Sequence, residues 1–162
     1  MNEFDAAHRV FVSYIDKSRE YYLARGYGNP YRWARHADAP FAPLAKPLRE
    51  CRVALVTTAS LRAEDRKVKE VFAAPTAPPP AALYTEHRFW HKTATHTRDV
   101  ETFLPIRRLM EFAADGRIGG IAPRFYGVPT DYSQRRTIDE YAPAVLELCR
   151  ADAADAALLF PL

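Results

Sequence analysis

Short apolar runs alternate with amphipathic stretches along most of this chain. In Arg52-Val53-Ala54-Leu55-Val56-Thr57-Thr58-Ala59-Ser60, four apolar residues precede small hydroxyl residues. That pattern predicts a buried parallel strand with a polar carboxyl end. Ala82 to Trp90 carries β-formers and predicts a second strand. Arg117 to Gly127 reads as a third strand with its exit loop. Ala156 to Leu162, bounded by Asp155, reads as a last strand buried on both faces. Helices fall between them. Pro105 to Ala114 has proline in its first turn, a stripe of Ile106, Leu109, Met110 and Ala113, and Gly116 as its stop. Ser133 to Asp152 keeps Ile138, Tyr141, Ala142, Val145, Leu148 and Cys149 on one face. Pro143 either kinks that helix or lies in the first turn of its main part.

The upstream part reads differently. Glu3 to Ala24 predicts a helix with Phe11, Tyr14, Ile15, Ser18 and Tyr22 on one face, stopped by Gly26 and Gly28. Pro40, Pro43 and Pro47 mark an extended connector. Leu61 to Val71 is charged and predicts a short helix or excursion. Ala73 to Ala82, with Pro75, Pro78, Pro79 and Pro80, predicts an exposed loop. The alternation of strand and helix from Leu83 onward predicts an α/β fold. The expected form is a three-layer α/β/α arrangement with a mainly parallel, Rossmann-like or flavodoxin-like sheet and an N-terminal helix. Residues 1–162 read as one domain, with the helix and proline-rich wrap in 1–50 and the sheet core in 51–162.

Length and charge narrow the function classes. A chain of 162 residues can bury about two-thirds of its unfolded surface. Its 23 basic and 20 acidic residues are interspersed, so no nucleic-acid arm stands out. No apolar run approaches the roughly 20 residues of a membrane span. The first residues, Met1-Asn2-Glu3-Phe4-Asp5, lack the basic and apolar regions of a signal peptide, so a cytoplasmic protein is expected. Cys51 and Cys149 belong to no CxxC or Cys/His cluster and read as reduced structural thiols.

Parallel strands deliver their carboxyl ends, and the loops after them, to one edge of a sheet, where ligands bind in open α/β folds. Thr57, Thr58 and Ser60 at such an end can contact an anionic substrate group, or can cap and turn the chain. The sequence leaves both open. His87, His91 and His96 would suffice in number for a catalytic zinc site. The residues around them predict strand and loop, and there is no HExxH, so no metal is assigned. A His-based metal-dependent hydrolase is a distant alternative. Gly119-Gly120 lies before or inside a strand and is not a phosphate-binding loop.

The order of "YRWA", "PFAPLAKPL", "RVALVTTASL", "FLPIRRLMEFAADGRIGGIAPRFYG", a helix and "DAALLFPL" resembles the selenoprotein B family of glycine, sarcosine and betaine reductases, with the related D-proline reductase selenoprotein subunit. The resemblance runs from about Tyr31 to Leu162 and is weaker through the proline loop. It implies reductive cleavage of an amino acid or betaine-type substrate. In that family the last strand and its proline are followed by selenocysteine or cysteine and then Pro-x-x-Cys. By position, Phe160-Pro161-Leu162 corresponds to the residues just before the selenocysteine. The expectation is therefore a longer natural chain whose redox residue follows Leu162, the 162 residues alone being inactive. Thr57 and Thr58 are the expected substrate contacts, and His91, His96 and Tyr126 the candidate acid or orienting groups. The family often carries His where Phe125 stands and acidic residues around His91 and His96, so the substrate stays open. No cofactor beyond the selenocysteine is implied. Expected partners are a small-molecule substrate, the other subunits of a reductase complex and further copies of the chain, with neither nucleic acid nor membrane. The alternative is a complete, non-catalytic binding or assembly subunit of the same fold.

Overall fold

The computed structural model describes residues 14–28, 34, 37–38, 42–86 and 96–162. Two compact units divide the chain, Met1–Pro40 and Phe41–Leu162. In the first, helix α1 spans Tyr14–Ala24. Its end is turned by Gly26 at φ +80°, a conformation that glycine adopts without a Cβ penalty. Tyr22 meets Tyr21 and Tyr27 edge-on, at 5.5 and 5.7 Å between ring centres. The predicted start of this helix, including Phe11, lies outside the described residues.

The second unit is built on strand β1, Arg52–Thr57. Five of its six residues are buried, as its unbroken apolar run requires. Both its edges are paired. On one side β5, Ala156–Phe160, runs parallel, with Val53 opposite Ala156 and Thr57 opposite Phe160. On the other side two short parallel strands follow each other. Strand β3, Gly120–Ile121, pairs with the start of β1, and β4, Arg124–Gly127, pairs with its end. Strand β2, Phe72–Pro75, lies antiparallel along the far side of β4. The fold is thus mixed α/β, with an open, mostly parallel sheet.

Alternation along β1 sends its side chains to two separate clusters. Val53 and Leu55 join Phe125 and the helix α2 residues Ile106 and Leu109. Ala54 and Val56 join Tyr126 and, from helix α4, Val145, Leu148 and Cys149. Helix α2, Ile106–Ala114, follows the predicted stripe. The Glu101 carboxylate accepts from the otherwise unpaired amides of Arg107 and Arg108 at its start, at 3.0 and 3.2 Å. The second predicted helix is three pieces: α3, Gln134–Arg136, a π-helical turn, Thr137–Tyr141, and α4, Ala142–Ala151. Pro143 sits in the first turn of α4. Gly119 crosses close to the preceding chain: a Cβ there would lie 2.5 Å from the Glu50 carbonyl carbon.

Two strand expectations need correction. The Leu83 segment is not a sheet strand in its described part; it makes one isolated antiparallel bridge, Tyr84 to Ser60. The strand lies earlier, at Phe72–Pro75, where a charged excursion and a loop were expected. Its apolar stretch is short and abuts the prolines, which obscured it. Pro75 is tolerable because β2 is an edge strand. The third strand, expected as one run with its exit loop, is two: β3 stops at Ile121, and β4 resumes at Arg124 and continues to Gly127.

Burial differs sharply between neighbouring strands, and the expectation that the last strand is buried on both faces is overturned. No residue of Ala156–Phe160 is buried, because β5 pairs with β1 but lacks cover on its own side chains. Leu55 is fully buried, whereas Leu159 of β5 is 71% exposed. Leu55→Ala should therefore cost about 2–5 kcal/mol in a urea titration. Leu159→Ala should cost less than about 0.5 kcal/mol. Comparable losses would show that β5 is covered and the sheet differently built.

Candidate functional site at the carboxyl edge

β1, β4 and β5 are parallel, so the segments after Thr57, Gly127 and Phe160 emerge at one edge. A side-chain hydrogen bond spans part of that edge. Thr58 Oγ1 accepts the backbone N–H of Leu162 at 2.9 Å, across 104 positions of sequence. Leu162 also packs against the α2-side core. The residue following Pro161 is held by its backbone and by its side chain.

The residues that follow Thr58 and Gly127 line a cavity of about 220 Å³. Ala59, Ser60 and Leu61 wall it directly after β1, and Val128, Pro129 and Thr130 directly after β4. Val68, Val71 and Phe72 add apolar surface, and Arg62, Asp65 and Glu70 supply charge. The Arg62 guanidinium is engaged with Asp65 through Nε at 3.2 Å and one terminal nitrogen at 3.0 Å. That contact holds the Asp65 carboxyl below the usual carboxylate range. With Arg62 and Asp65 balancing each other, Glu70 leaves the wall one carboxylate in excess. The Thr130 hydroxyl is buried without a hydrogen-bond partner, an expensive state for a polar group that no ligand satisfies.

A second hollow, about 460 Å³, opens at the start of α2 among Asp99, Glu101, Arg107, Arg108 and Glu111. The Glu101 carboxylate there is occupied in capping the helix. It has no parallel strand ends to supply a site.

The expected site residues fare unequally. Thr58 stands at the edge, half-buried. Thr57 does not share its role: it is 1% exposed, and its hydroxyl accepts the Ala59 N–H at 3.2 Å, which turns the chain. His96 is exposed. His87 and His91 lie outside the described residues. Among the described residues no cluster of His, Cys, Asp or Glu is arranged to hold a metal. The ends of the histidine-bearing stretch are joined by a 2.6 Å hydrogen bond between the Thr85 and Thr97 hydroxyls. No helix among the described residues is long and apolar enough to cross a membrane.

Tyr126 is not at the edge. Because β4 runs through it, its side chain enters the α4-side core, where it is fully buried. Its hydroxyl donates to Asp152 Oδ2 at 2.7 Å, with the Leu148 carbonyl 3.2 Å away. Burial, reinforced by Asp152, pushes this phenol well above its ordinary pKa. It acts as a fixed donor in the core and is not available as an acid to a substrate. Arg124 forks onto the same carboxylate, at 2.7 Å from Nη2 and 3.0 Å from Nε. Neither cysteine offers a nucleophile. Cys51 is fully buried, and burial pushes the Cys149 thiol up.

Arg62, Asp65, Glu70 and Thr130 are not marked as site residues by any sequence motif. The available signal was positional. Once β4 is extended to Gly127, the residues after it must meet those after Thr57. No family model, curated protein or solved structure matches the chain.

Two outcomes are expected. Thr130→Val removes an unsatisfied hydroxyl at nearly constant shape and should leave the protein as stable or raise its stability by about 1 kcal/mol, read from urea midpoints. For Asp152, hydrogen bonding to Arg124 holds the folded carboxyl below its ordinary value against the opposing effect of burial. Its contribution is full above the unfolded aspartate pKa of about 3.9 and is lost as pH falls from there through the folded value. Melting curves from pH 6 to 2 should show a drop in Tm below about pH 4 that is shallower in Asp152→Asn. Parallel pH profiles for the two proteins would remove Asp152 from the acid response.

Proposed function

We propose that this chain is the substrate-binding portion of a selenoprotein B-like reductase subunit, with a three-layer, Rossmann-like core. The reading rests on the resemblance carried by the motifs and on one geometric observation. The "TTAS" and "FPL" segments, distant in sequence, are joined at the carboxyl edge by the Thr58–Leu162 hydrogen bond. A ligand-sized cavity is walled by Ala59 and Ser60 of the first segment.

The chemistry implied is displacement of an amine from the carbon α to a carboxylate by a selenolate or thiolate, ionised at neutral pH. Such a nucleophile would follow Leu162. Within the chain, Thr58 fixes the backbone leading to it, and the cavity orients the substrate. The cavity's size suits a small amino acid or betaine, and its excess carboxylate suits the ammonium end. Cytoplasmic location and association with further reductase subunits belong to the same proposal.

The exposed apolar residues Leu158 and Leu159 on β5 favour, as a second reading, a binding or assembly subunit that keeps the fold without the chemistry. The coding DNA separates the two. An in-frame UGA after the Leu162 codon, followed by a Pro-x-x-Cys-like stretch, is the outcome expected for the reductase. A UAA or UAG codon would favour the assembly subunit. Titration of the protein with glycine, sarcosine and glycine betaine should perturb the amide NMR signals of Ser60 and Thr130 with at least one of them. If none does, the substrate reading is wrong in either case.

A further inference from the structure

The turn that leaves β4 contains a conformation that its sequence does not favour. Tyr132 has φ +54°, in the left-handed region that L side chains rarely adopt. Glycine or asparagine is the usual occupant. The tyrosine ring gains little burial in return, since the residue is 70% exposed. A strained position persists only where the surroundings over-determine it. Here the neighbouring residue does so. The Asp131 side chain is almost fully buried, and Oδ2 accepts from the Tyr141 hydroxyl at 2.7 Å and pairs with Arg136 at 3.1 Å. Oδ1 accepts the Ser133 N–H at 3.1 Å. Ser133 Oγ in turn caps α3 by accepting from the Arg136 amide at 3.3 Å. The turn is thus nailed down on both sides of Tyr132, and the ring stands out from it.

One residue before this anchor is Thr130, whose buried hydroxyl lacks a partner and which walls the cavity. Along four consecutive residues the chain therefore presents an unsatisfied hydroxyl, a buried anchor, a strained and exposed aromatic, and a helix cap. Folding alone accounts for the anchor and the cap. It does not account for an aromatic side chain at a left-handed position with no packing to gain. The cavity wall carries one carboxylate in excess, which attracts a cation, and a tyrosine face is a good neighbour for a desolvated ammonium group.

We propose that Tyr132 is a specificity-determining residue, whose ring folds over the cavity and covers the ammonium end of the bound substrate. This rests on the reading of the carboxyl edge as an amine-substrate site. The movement required is a rotation of an exposed side chain two residues from the cavity wall at Thr130, and such rotations take picoseconds to nanoseconds.

The test compares Y132F, Y132A and Y132G with the wild-type protein, by calorimetric titration with glycine, sarcosine and glycine betaine and by urea denaturation. Y132F keeps the ring and should bind as wild type does. Y132A and Y132G lose it, and affinity for the ligand that wild type binds should fall about three- to thirtyfold. The urea midpoint separates function from structure. Y132G relieves the backbone strain and should be at least as stable as wild type, and more stable than Y132A, which keeps the strain. If wild type binds and the two ring-less variants bind equally well, Tyr132 does not cover the ligand and this inference fails alone. If Y132G unfolds at lower urea than wild type, the ring is structural and the inference fails. If wild type binds none of the three probes, the amine-substrate reading fails and takes this inference with it.

Discussion

The buried carboxylate of Asp152 holds the sheet in register. It is 8% exposed, and an unpaired charge so placed would cost several kcal/mol. It is tolerated because Arg124 and Tyr126 of β4 both donate to it. The same residue caps α4, and its carbonyl accepts from the Arg52 guanidinium of β1 at 2.8 Å. One residue thus ties the end of the helix to two strands. The chain then has only three residues in which to turn before β5, and Ala153 takes a positive φ, +53°, to make the turn. Asp155 completes the clamp: its amide donates to the Arg52 carbonyl at 2.8 Å, and its carboxylate accepts from the Arg52 amide at 2.7 Å and pairs with Lys46. The start of β5 is therefore fixed against the start of β1. Six residues after Ala156, the backbone N–H of Leu162 reaches the Thr58 hydroxyl.

This explains why the candidate site depends on interactions at the opposite end of the sheet. In a parallel pair, register is set once and carried along the strand. A slip of one residue at Ala156 would move the backbone N–H of Leu162 off the Thr58 hydroxyl. It would also send Leu162 to the other face, away from the α2-side core. None of Arg124, Asp152 and Tyr126 lines the cavity. The group acts on the edge through strand alignment.

How legible this was in the sequence follows from the kind of signal each element carries. β1, α2, α4 and β5 are long enough for their apolar pattern to decide them, and each lies where the pattern predicts. β2 was missed because four residues next to a proline cluster give no usable periodicity. The Leu83 segment misled in the opposite sense, since β-formers were present but its described backbone pairs only at Tyr84. Tyr126 was expected at the site as an acid or orienting group, but β4 pairs through it to Gly127 and turns it into the core. Gly119, Gly120 and Pro123 look like punctuation, yet the glycines open β3 and Pro123 marks only the break between β3 and β4. The threonine pair shows the limit most clearly. Thr57 and Thr58 are indistinguishable by composition, and alternation along the strand makes one a buried turn-former and the other an edge hydroxyl.

The charges around the cavity could not have been read from composition either, because their meaning depends on pairing. Arg62 looks like an anchor for a carboxylate until its guanidinium is seen engaged by Asp65 on two nitrogens. Once it is engaged, an incoming carboxylate must displace Asp65 or use a weaker donor. An ammonium group meets no such competition, since Glu70 is the charge left over in the wall. The wall residues Val68, Val71, Phe72, Val128 and Pro129 contribute apolar side chains and few donors. An N-alkyl group loses little on entering such a space, while a bare ammonium gives up water hydrogen bonds that only a few wall groups can replace. On the proposed amine-substrate reading, this wall would discriminate by the substitution of the amine more than by the carboxylate, and the ring proposed to cover it from position 132 would sharpen the same distinction.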